Sequence, residues 1–292
     1  MKKLMLAMSG GVDSSVAVVL LREKYDLCGA TMRLFGDSES ESDSANSAIS
    51  EARKIAETLK VPHYVCDLRE SFKAGVMRSF AESYINGETP NPCVVCNKYI
   101  KFGEFLDWAV DTLDCELMAT GHYARVEFDK GSGRYLLKKA QSRKDQSYVL
   151  YSLSQSQLRR VIFPLGSLDK LRVREIAEAH GLTNSNKPDS QDICFVPDGD
   201  YAGFITRHSG FTPESGEITD KDGRILGVHG GIIKYTVGQR KGLGLVSPEP
   251  LYVIGKNAGS NRVVVGGNAE LFTNRLTARD VNWIAFEKLQ QD

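Results

Sequence analysis

The stretch Ser9-Gly10-Gly11-Val12-Asp13-Ser14-Ser15 gathers three hydroxyls, two glycines and a carboxylate. An apolar run, residues 3–8, precedes it, and Val16, Val19 and Leu20 recur at helical spacing after it. A strand, a glycine turn and a helix N-terminus in that order make an anion site. First-turn N–H groups lack helical partners, and the helix dipole favours negative charge. Gly10 and Gly11 let backbone approach a phosphate closely, while Ser9, Ser14 and Ser15 offer hydroxyl donors. Asp13 would repel a bare phosphate, so its chemistry suits a magnesium ion held beside one. The plainer alternative is a helix cap at Asp13 or Ser14; the density of polar groups argues against it. The stretch lacks the Gly-Lys-Ser/Thr ending of a Walker A loop and the G-x-G-x-x-G of a dinucleotide fingerprint.

The second chemical feature is sulfur. The chain has six cysteines in 292 residues. Its first apolar run is broken at Ser9-Gly10-Gly11, so it reads as a strand and not as a signal peptide. The thiols are therefore expected in a reducing cytoplasm, as free groups, ligands or redox centres. Cys28, Cys66 and Cys115 lie in apolar contexts and are expected in the core. Cys96 and Cys194 lie among polar residues in expected loops, where thiolate chemistry is accessible. Cys93 and Cys96 form one C-x-x-C pair, a weak metal signal without a second pair.

Elements must position these groups. Residues 3–8, 27–34, 61–68 and 116–120 read as strands. Helices are expected after the glycine stretch, along the stripe Ile49, Ala52, Ala56 and Leu59, over 72–85 and over 105–113. This alternation predicts an α/β fold with a doubly wound, mostly parallel sheet. Residues 37–47, rich in Ser, Asp and Glu, read as a mobile loop. Residues 126–128 and 135–139 read as a hairpin around DKGSG. Helical stretches follow near 156–160 and 173–180, the second ended by Gly181. Beyond Asp200 the chain turns glycine-rich with short alternating runs, which predicts a second, smaller β-rich domain. The expected division is a catalytic domain over 1–200, a β-rich domain over 201–275, and a short third segment, 276–292.

Hydrophobic residues make up 41% and charged ones 25%, an ordinary globular balance. No run approaches the ~18 apolar residues of a membrane span. The net charge is zero, but residues 131–174 hold ten basic and two acidic side chains. A local excess of that kind is what a phosphate backbone meets. The alternative is a solvated face with scattered partners.

Ser-Gly-Gly-x-Asp-Ser resembles the PP-loop of the ATP pyrophosphatases, which cleave ATP between the α and β phosphates. Three further stretches narrow the likeness: NPCVVCNKYIKFG (91–103), TGHYAR (120–125) and DSQDICF (189–195). With KDQSYVLYSL (144–153) and YTVGQRKGLGL (235–245), they resemble the tRNA-specific 2-thiouridylases, nearly end to end. The resemblance implies a PP-loop, adenine nucleotide alpha hydrolase-like fold, and ATP-dependent 2-thiolation of the tRNA wobble uridine. The uracil C2 oxygen would be adenylated, and sulfur would come from a cysteine persulfide recharged by an upstream donor. It implies Cys194 as the persulfide carrier and Cys96 as its partner, the two closing as a disulfide, with Asp13 serving catalysis. Ala7, Met8, Ser9, Gly10, Gly11, Val12, Asp13, Ser14, Met32 and Gly121 would hold ATP with Mg2+. Asn91, Pro92 and Cys93 would lie against the target base, and His122, Lys144, Asp145 and Gln146 would contact tRNA.

One alternative route delivers sulfur from an iron–sulfur cluster on Cys93, Cys96 and Cys194. The remaining alternatives are a PP-loop amide-forming ligase and a non-catalytic ATP-binding protein. Neither of these needs Cys96 or Cys194. The family normally continues into a small C-terminal β-barrel that helps clamp tRNA. This chain stops at Asp292, where that barrel would begin, and weaker tRNA binding is the expectation.

Overall fold

A computed structural model describes residues 1–36, 44–187 and 192–289. In chain order the elements are β1 (Lys3–Ala7), α1 (Val12–Leu21), β2 (Asp26–Arg33), α2 (Ser44–Leu59), β3 (His63–Asp67), α3 (Arg69–Phe72) and α4 (Arg78–Ile85). Then come α5 (Pro92–Val95), α6 (Phe105–Leu113), β4 (Leu117–Thr120), β5 (Ala124–Asp129), β6 (Arg134–Lys139), α7 (Gln155–Leu158), β7 (Val161–Ile162) and α8 (Lys170–Ala179). Last are α9 (Tyr201–Ser209), β8 (Gly216–Thr219), β9 (Ile225–His229), β10 (Tyr252–Asn257) and β11 (Arg262–Gly266). Among the described residues no helix is long and apolar enough to cross a membrane.

Two compact units result. The first comprises Met1–Gly75, Cys93–Gln191 and Val281–Asp292; the second comprises Val76–Pro92 and Asp192–Asp280. The first holds a parallel sheet in the order β3-β2-β1-β4-β7, the doubly wound arrangement expected. β1 is its centre, pairing Leu4 with Leu27 on one side and with Leu117 on the other. β1, β2 and β3 step one way across the sheet, and β4 returns to the other side of β1. That reversal opens a crevice at the carboxyl ends of β1 and β4, where open α/β sheets bind ligands. Leu4, Leu6, Val16, Val18, Ile55 and Val173 build the core around it. The α2 stripe Ile49, Ala52, Ala56 and Leu59 is buried as expected. α1 departs from expectation, because Val19 and Leu20 stay half-buried while Val16, Ala17, Val18 and Leu21 are covered. The neighbours on both sides of α1 bury more than one stripe. β5 and β6 form the expected hairpin, Val126 opposite Leu137.

Other departures are local. Residues 37–43 of the expected loop lie outside the described residues, and its end, from Ser44, belongs to α2. The helix expected over 72–85 starts earlier, at Arg69, and contains a π-helical stretch, Lys73–Met77. A second π-helical stretch, Cys96–Glu104, carries Cys96 in helix and not in the loop expected for it.

The second unit contains a four-stranded sheet, β10-β11-β8-β9, antiparallel except between β11 and β8. Its helix α9 was not expected; an Asp200 cap on the Gly203 N–H starts it. Phe80, Phe195 and Phe204 pack edge-on or tilted at centroid distances of 5.1 to 6.0 Å.

Candidate active site

β1 ends at Ala7, and the chain turns through Gly10 at φ +73° before α1 begins. That backbone conformation is one a side chain rarely adopts. A Cβ on Gly10 would also lie 3.0 Å from the Ala48 carbonyl oxygen. Gly11 occupies the N-cap position without a side-chain cap bond, so neither Asp13 nor Ser14 caps the helix.

The hydroxyls divide. Ser14 and Ser15 are buried, and both donate to the Gly11 carbonyl, at 3.0 and 2.9 Å. They hold the turn together and are not the outward donors the sequence suggested. The Ser9 N–H donates to Ser14 Oγ, and Ser9 itself is exposed. Asn184, outside any motif, fastens the turn from below: its Nδ2 donates to the Gly10 carbonyl and to Ser15 Oγ, both at 2.9 Å.

Asp13 is the hub. Its Oδ1 accepts from the Tyr123 hydroxyl and from Lys170 Nζ, each at 2.7 Å. Lys144 Nζ stands 3.9 Å from its Oδ2. Tyr123 is fully buried. The magnesium role expected of Asp13 therefore meets a different arrangement. A carboxylate carrying one ammonium and facing another is a poor ligand for a dication, and two lysines against one acid leave a local positive excess. Such an excess suits a polyphosphate directly. Lys170 and Tyr123 were not singled out from sequence, though Tyr123 lies inside TGHYAR.

Gly121 closes the other side. A Cβ there would lie 2.8 Å from both the Asp13 carbonyl carbon and the Ser14 nitrogen. Met8 is buried, Ala7 and Met32 are half-buried, and Met32 sits on β2 opposite Cys66. Asp145 and Gln146 are held by local bonds. Asp145 accepts from the Ala140 and Ser147 N–H groups and from the Ser147 hydroxyl. Gln146 and Tyr123 exchange two bonds, Tyr123 N–H to Gln146 Oε1 and Gln146 N–H to the Tyr123 carbonyl. His122 lies 6.0 Å from both the Phe102 and Phe163 rings, with Nδ1 paired to Thr120 Oγ1 at 2.7 Å. Burial pushes its imidazole well below the usual range, and the Lys101 charge adds to this.

The thiols sort by exposure. Cys66 and Cys115 are buried, Cys28 and Cys96 are half-buried, and Cys93 and Cys194 are exposed. Burial pushes Cys28 up to about 12 and Cys66 to about 11. Cys28 and Cys115 face each other with sulfurs 3.6 Å apart. Cys96 is also raised by burial, with Lys101 opposing. Cys194 sits in a turn whose neighbours are anchored: Phe195 enters the aromatic cluster, and Asp192 bonds the Ile193 N–H and the Tyr201 hydroxyl. Residues 188–191, which include the first three of the seven in DSQDICF, lie outside the described residues. Asn91 and Pro92 fall in the second unit and Cys93 in the first, with Pro92 buried and Asn91 exposed. Among the described residues no three His, Cys, Asp or Glu side chains converge as a metal site. Of the proposed iron–sulfur set, Cys93 and Cys96 belong to the first unit and Cys194 to the second.

Of the ten basic side chains in residues 131–174, several already have partners. Arg134 donates to the Trp283 and Ile284 carbonyls, Lys138 pairs with Glu127, and Arg172 with Glu175.

Comparison with known proteins bears on the whole chain. Residues 2–198 match the family described as "tRNA methyl transferase HUP domain", and residues 202–267 match "tRNA methyl transferase PRC-barrel domain". A protein of Clostridioides difficile (strain 630) named tRNA-specific 2-thiouridylase MnmA is 48% identical over 99% of this chain and 82% of its own length. One of the same name from Lachnoclostridium phytofermentans is 46% identical over 99% of this chain and 83% of its own. A solved NH3-dependent NAD synthetase from Campylobacter jejuni aligns with 71% of this chain and 82% of its own at TM-score 0.39 and 15% identity, too weak a likeness to add to the argument. The domain descriptions speak of methyl transfer and the relatives are named for thiolation; by its identity to those relatives along nearly its whole length, the chain belongs to the tRNA-specific 2-thiouridylase family.

Proposed function

We propose that this protein installs sulfur at C2 of a tRNA uridine in an ATP-dependent reaction. The observation that carries the reading is the turn at the crevice between β1 and β4, where Lys170 and Lys144 gather on Asp13. The turn presents first-turn N–H groups, and the lysines supply the charge to hold a triphosphate and its pyrophosphate leaving group. Family membership supplies the substrate class.

The uracil C2 oxygen attacks the α-phosphorus and expels pyrophosphate, which makes a poor leaving group a good one. The terminal sulfur of a persulfide on Cys194 then attacks C2, and AMP leaves with the oxygen. The Cys96 thiolate attacks the Cys194 sulfur, forms a Cys96–Cys194 disulfide and leaves the transferred sulfur on C2. A two-electron reductant restores both thiols, and an upstream donor recharges Cys194. The exposed, firmly flanked Cys194 suits a carrier that must accept sulfur from another molecule. Asn91, Pro92 and Cys93 are proposed against the base. No step is assigned to a metal.

The test is incubation with unmodified tRNA, ATP, magnesium and a persulfide source, followed by nucleoside analysis. We expect 2-thiouridine that disappears without ATP and with Cys194→Ser. Folded, ATP-binding protein that makes none would overturn the reading.

A further inference from the structure

A cleft of about 560 Å³ lies within the first unit, between the π-helical stretch Cys96–Glu104 and the chain from Ser152 to Arg160. It starts two residues beyond Cys96, at Lys98 and Tyr99. Its walls are tied from inside. Gln157 Nε2 donates to the Lys98 and Phe102 carbonyls at 2.9 and 2.8 Å, and Asn97 Nδ2 donates to the Val149 carbonyl at 3.1 Å. The cleft is therefore built into the fold and does not depend on a mobile side chain for its shape.

What it displays is aromatic and charged. Tyr99 is 56% exposed, and Lys98 Nζ lies 4.9 Å from its ring centre. Arg160 lines the cleft with it. Tyr148 and Tyr151, 63% and 53% exposed, lie on the chain just before the second wall. A ring more than half exposed, with the Lys98 ammonium over one face and Arg160 lining the same cleft, matches single-stranded nucleic acid: a base stacks on the ring's other face, and lysine and arginine meet the phosphate. Glu104 and Asp107 also line the cleft. They interrupt any continuous phosphate track, so the cleft suits one or two splayed nucleotides and not a duplex, and their carboxylates can accept from an exocyclic amino group.

We propose that this cleft binds a nucleotide adjoining the reacting uridine, its base stacked on Tyr99 and its phosphate met by Lys98 and Arg160. The proposal rests on the tRNA reading above and adds to it a subsite for a neighbouring base, which would set the sequence context that the enzyme accepts.

The experiment uses the full chain and an anticodon stem-loop RNA carrying 2-aminopurine next to the target uridine. Stacking quenches that fluorophore. The wild type is expected to bind and quench. Tyr99→Ala is expected to lose the quench and to weaken binding between about fivefold and about a hundredfold, the range for one stacked base. Tyr99→Phe and Tyr99→Trp are expected to keep both, because the ring and not the hydroxyl is used. ATP binding by Tyr99→Ala, measured separately, is expected to stay unchanged, which shows that the variant is folded. Tyr99→Ala that quenches and binds like the wild type would overturn the proposal. So would unchanged RNA binding with slowed sulfur transfer from a donor protein, since the cleft would then dock a protein. A wild type that binds ATP but no RNA would overturn the tRNA reading itself, and the subsite with it.

Discussion

Lys170 Nζ donates to Asp13 Oδ1 at 2.7 Å, joining the first turn of α8 to the first turn of α1 across 157 positions of sequence. Both side chains are largely covered, 19% and 25% exposed. The bond makes Asp13 an anchor for cations and sets Lys170 beside the turn. Asp13→Ala is expected to lose ATP-dependent pyrophosphate release by at least about a hundredfold. It should also cost about 1–3 kcal/mol of stability, because the buried Tyr123 hydroxyl loses its acceptor. Asp13→Asn keeps an acceptor for Tyr123 but no charge for Lys170. It should recover most of the stability and little of the activity. Chemical denaturation and a pyrophosphate assay on both variants check this, and equal activity loss without any stability difference would remove Tyr123 from the account.

Gly121 tests the closeness of β4 to the turn. A methyl group there meets backbone atoms of Asp13 and Ser14 at 2.8 Å, and backbone cannot rotate away. Gly121→Ala should displace the start of α1 and raise the Kd for ATP at least tenfold, about 1.4 kcal/mol. Calorimetric titration with a non-hydrolysable ATP analogue measures it. An unchanged Kd would mean that the turn tolerates the shift.

Four of the five strands of the parallel sheet were legible because each is a short apolar run between helices of clear period; β7, two residues long, was too short to read. The turn was legible because its residue types are improbable elsewhere. What periodicity missed lies in contacts between distant segments. Asn184 and Lys170 reach the turn from 174 and 157 residues away, as single side chains without local pattern. The inward use of Ser14 and Ser15 was equally hidden, since a hydroxyl's partner is set by the path of the backbone. Cys96 read as a loop residue because the NPCVVCN segment lacks an apolar stripe, yet it is wound into a helical run held by Asn97 and Gln157.

The basic segment makes a prediction about salt. Lys138 and Lys144 are engaged with Glu127 and Asp13, whereas Lys139, Arg143 and Arg159 are exposed. If these three meet tRNA phosphates, neutralising them together should flatten the slope of log K against log salt by about 2 to 3, given roughly 0.7–0.9 per phosphate. Filter binding across a salt series gives the slope. An unchanged slope places the RNA on another face.

Thiol labelling should follow exposure. Iodoacetamide at pH 8, read by peptide mass spectrometry, should modify exposed Cys93 and Cys194 first. Cys28 and Cys66, pushed to about 12 and about 11, should react more than about a hundredfold more slowly, because only the thiolate attacks. Early labelling of Cys28 would show that the Cys28–Cys115 contact opens readily.

The last prediction concerns acid. Burial lowers the ionisation range of His63, His122 and His229, each from an ordinary 6.5. The unfolded chain then takes up protons near pH 6.5 that the folded chain refuses. Stability from these rings is full above pH 6.5 and falls as pH drops below it. The paired carboxylates Asp67 and Glu127 are themselves lowered, from 3.8 and 4.5, so their loss comes at lower pH and leaves the window from 7.5 to 5.5 to the histidines. Urea denaturation should show the wild type less stable at pH 5.5 than at 7.5. His122→Gln loses the Thr120 contact at every pH, so its absolute stability decides nothing; the slope does. It should be shallower than the wild-type slope by up to about 1.4 kcal/mol per pH unit, one proton's worth. A variant with the wild-type slope would mean that His122 takes up its proton alike in the folded and the unfolded chain, and that burial between Phe102 and Phe163 does not hold it neutral.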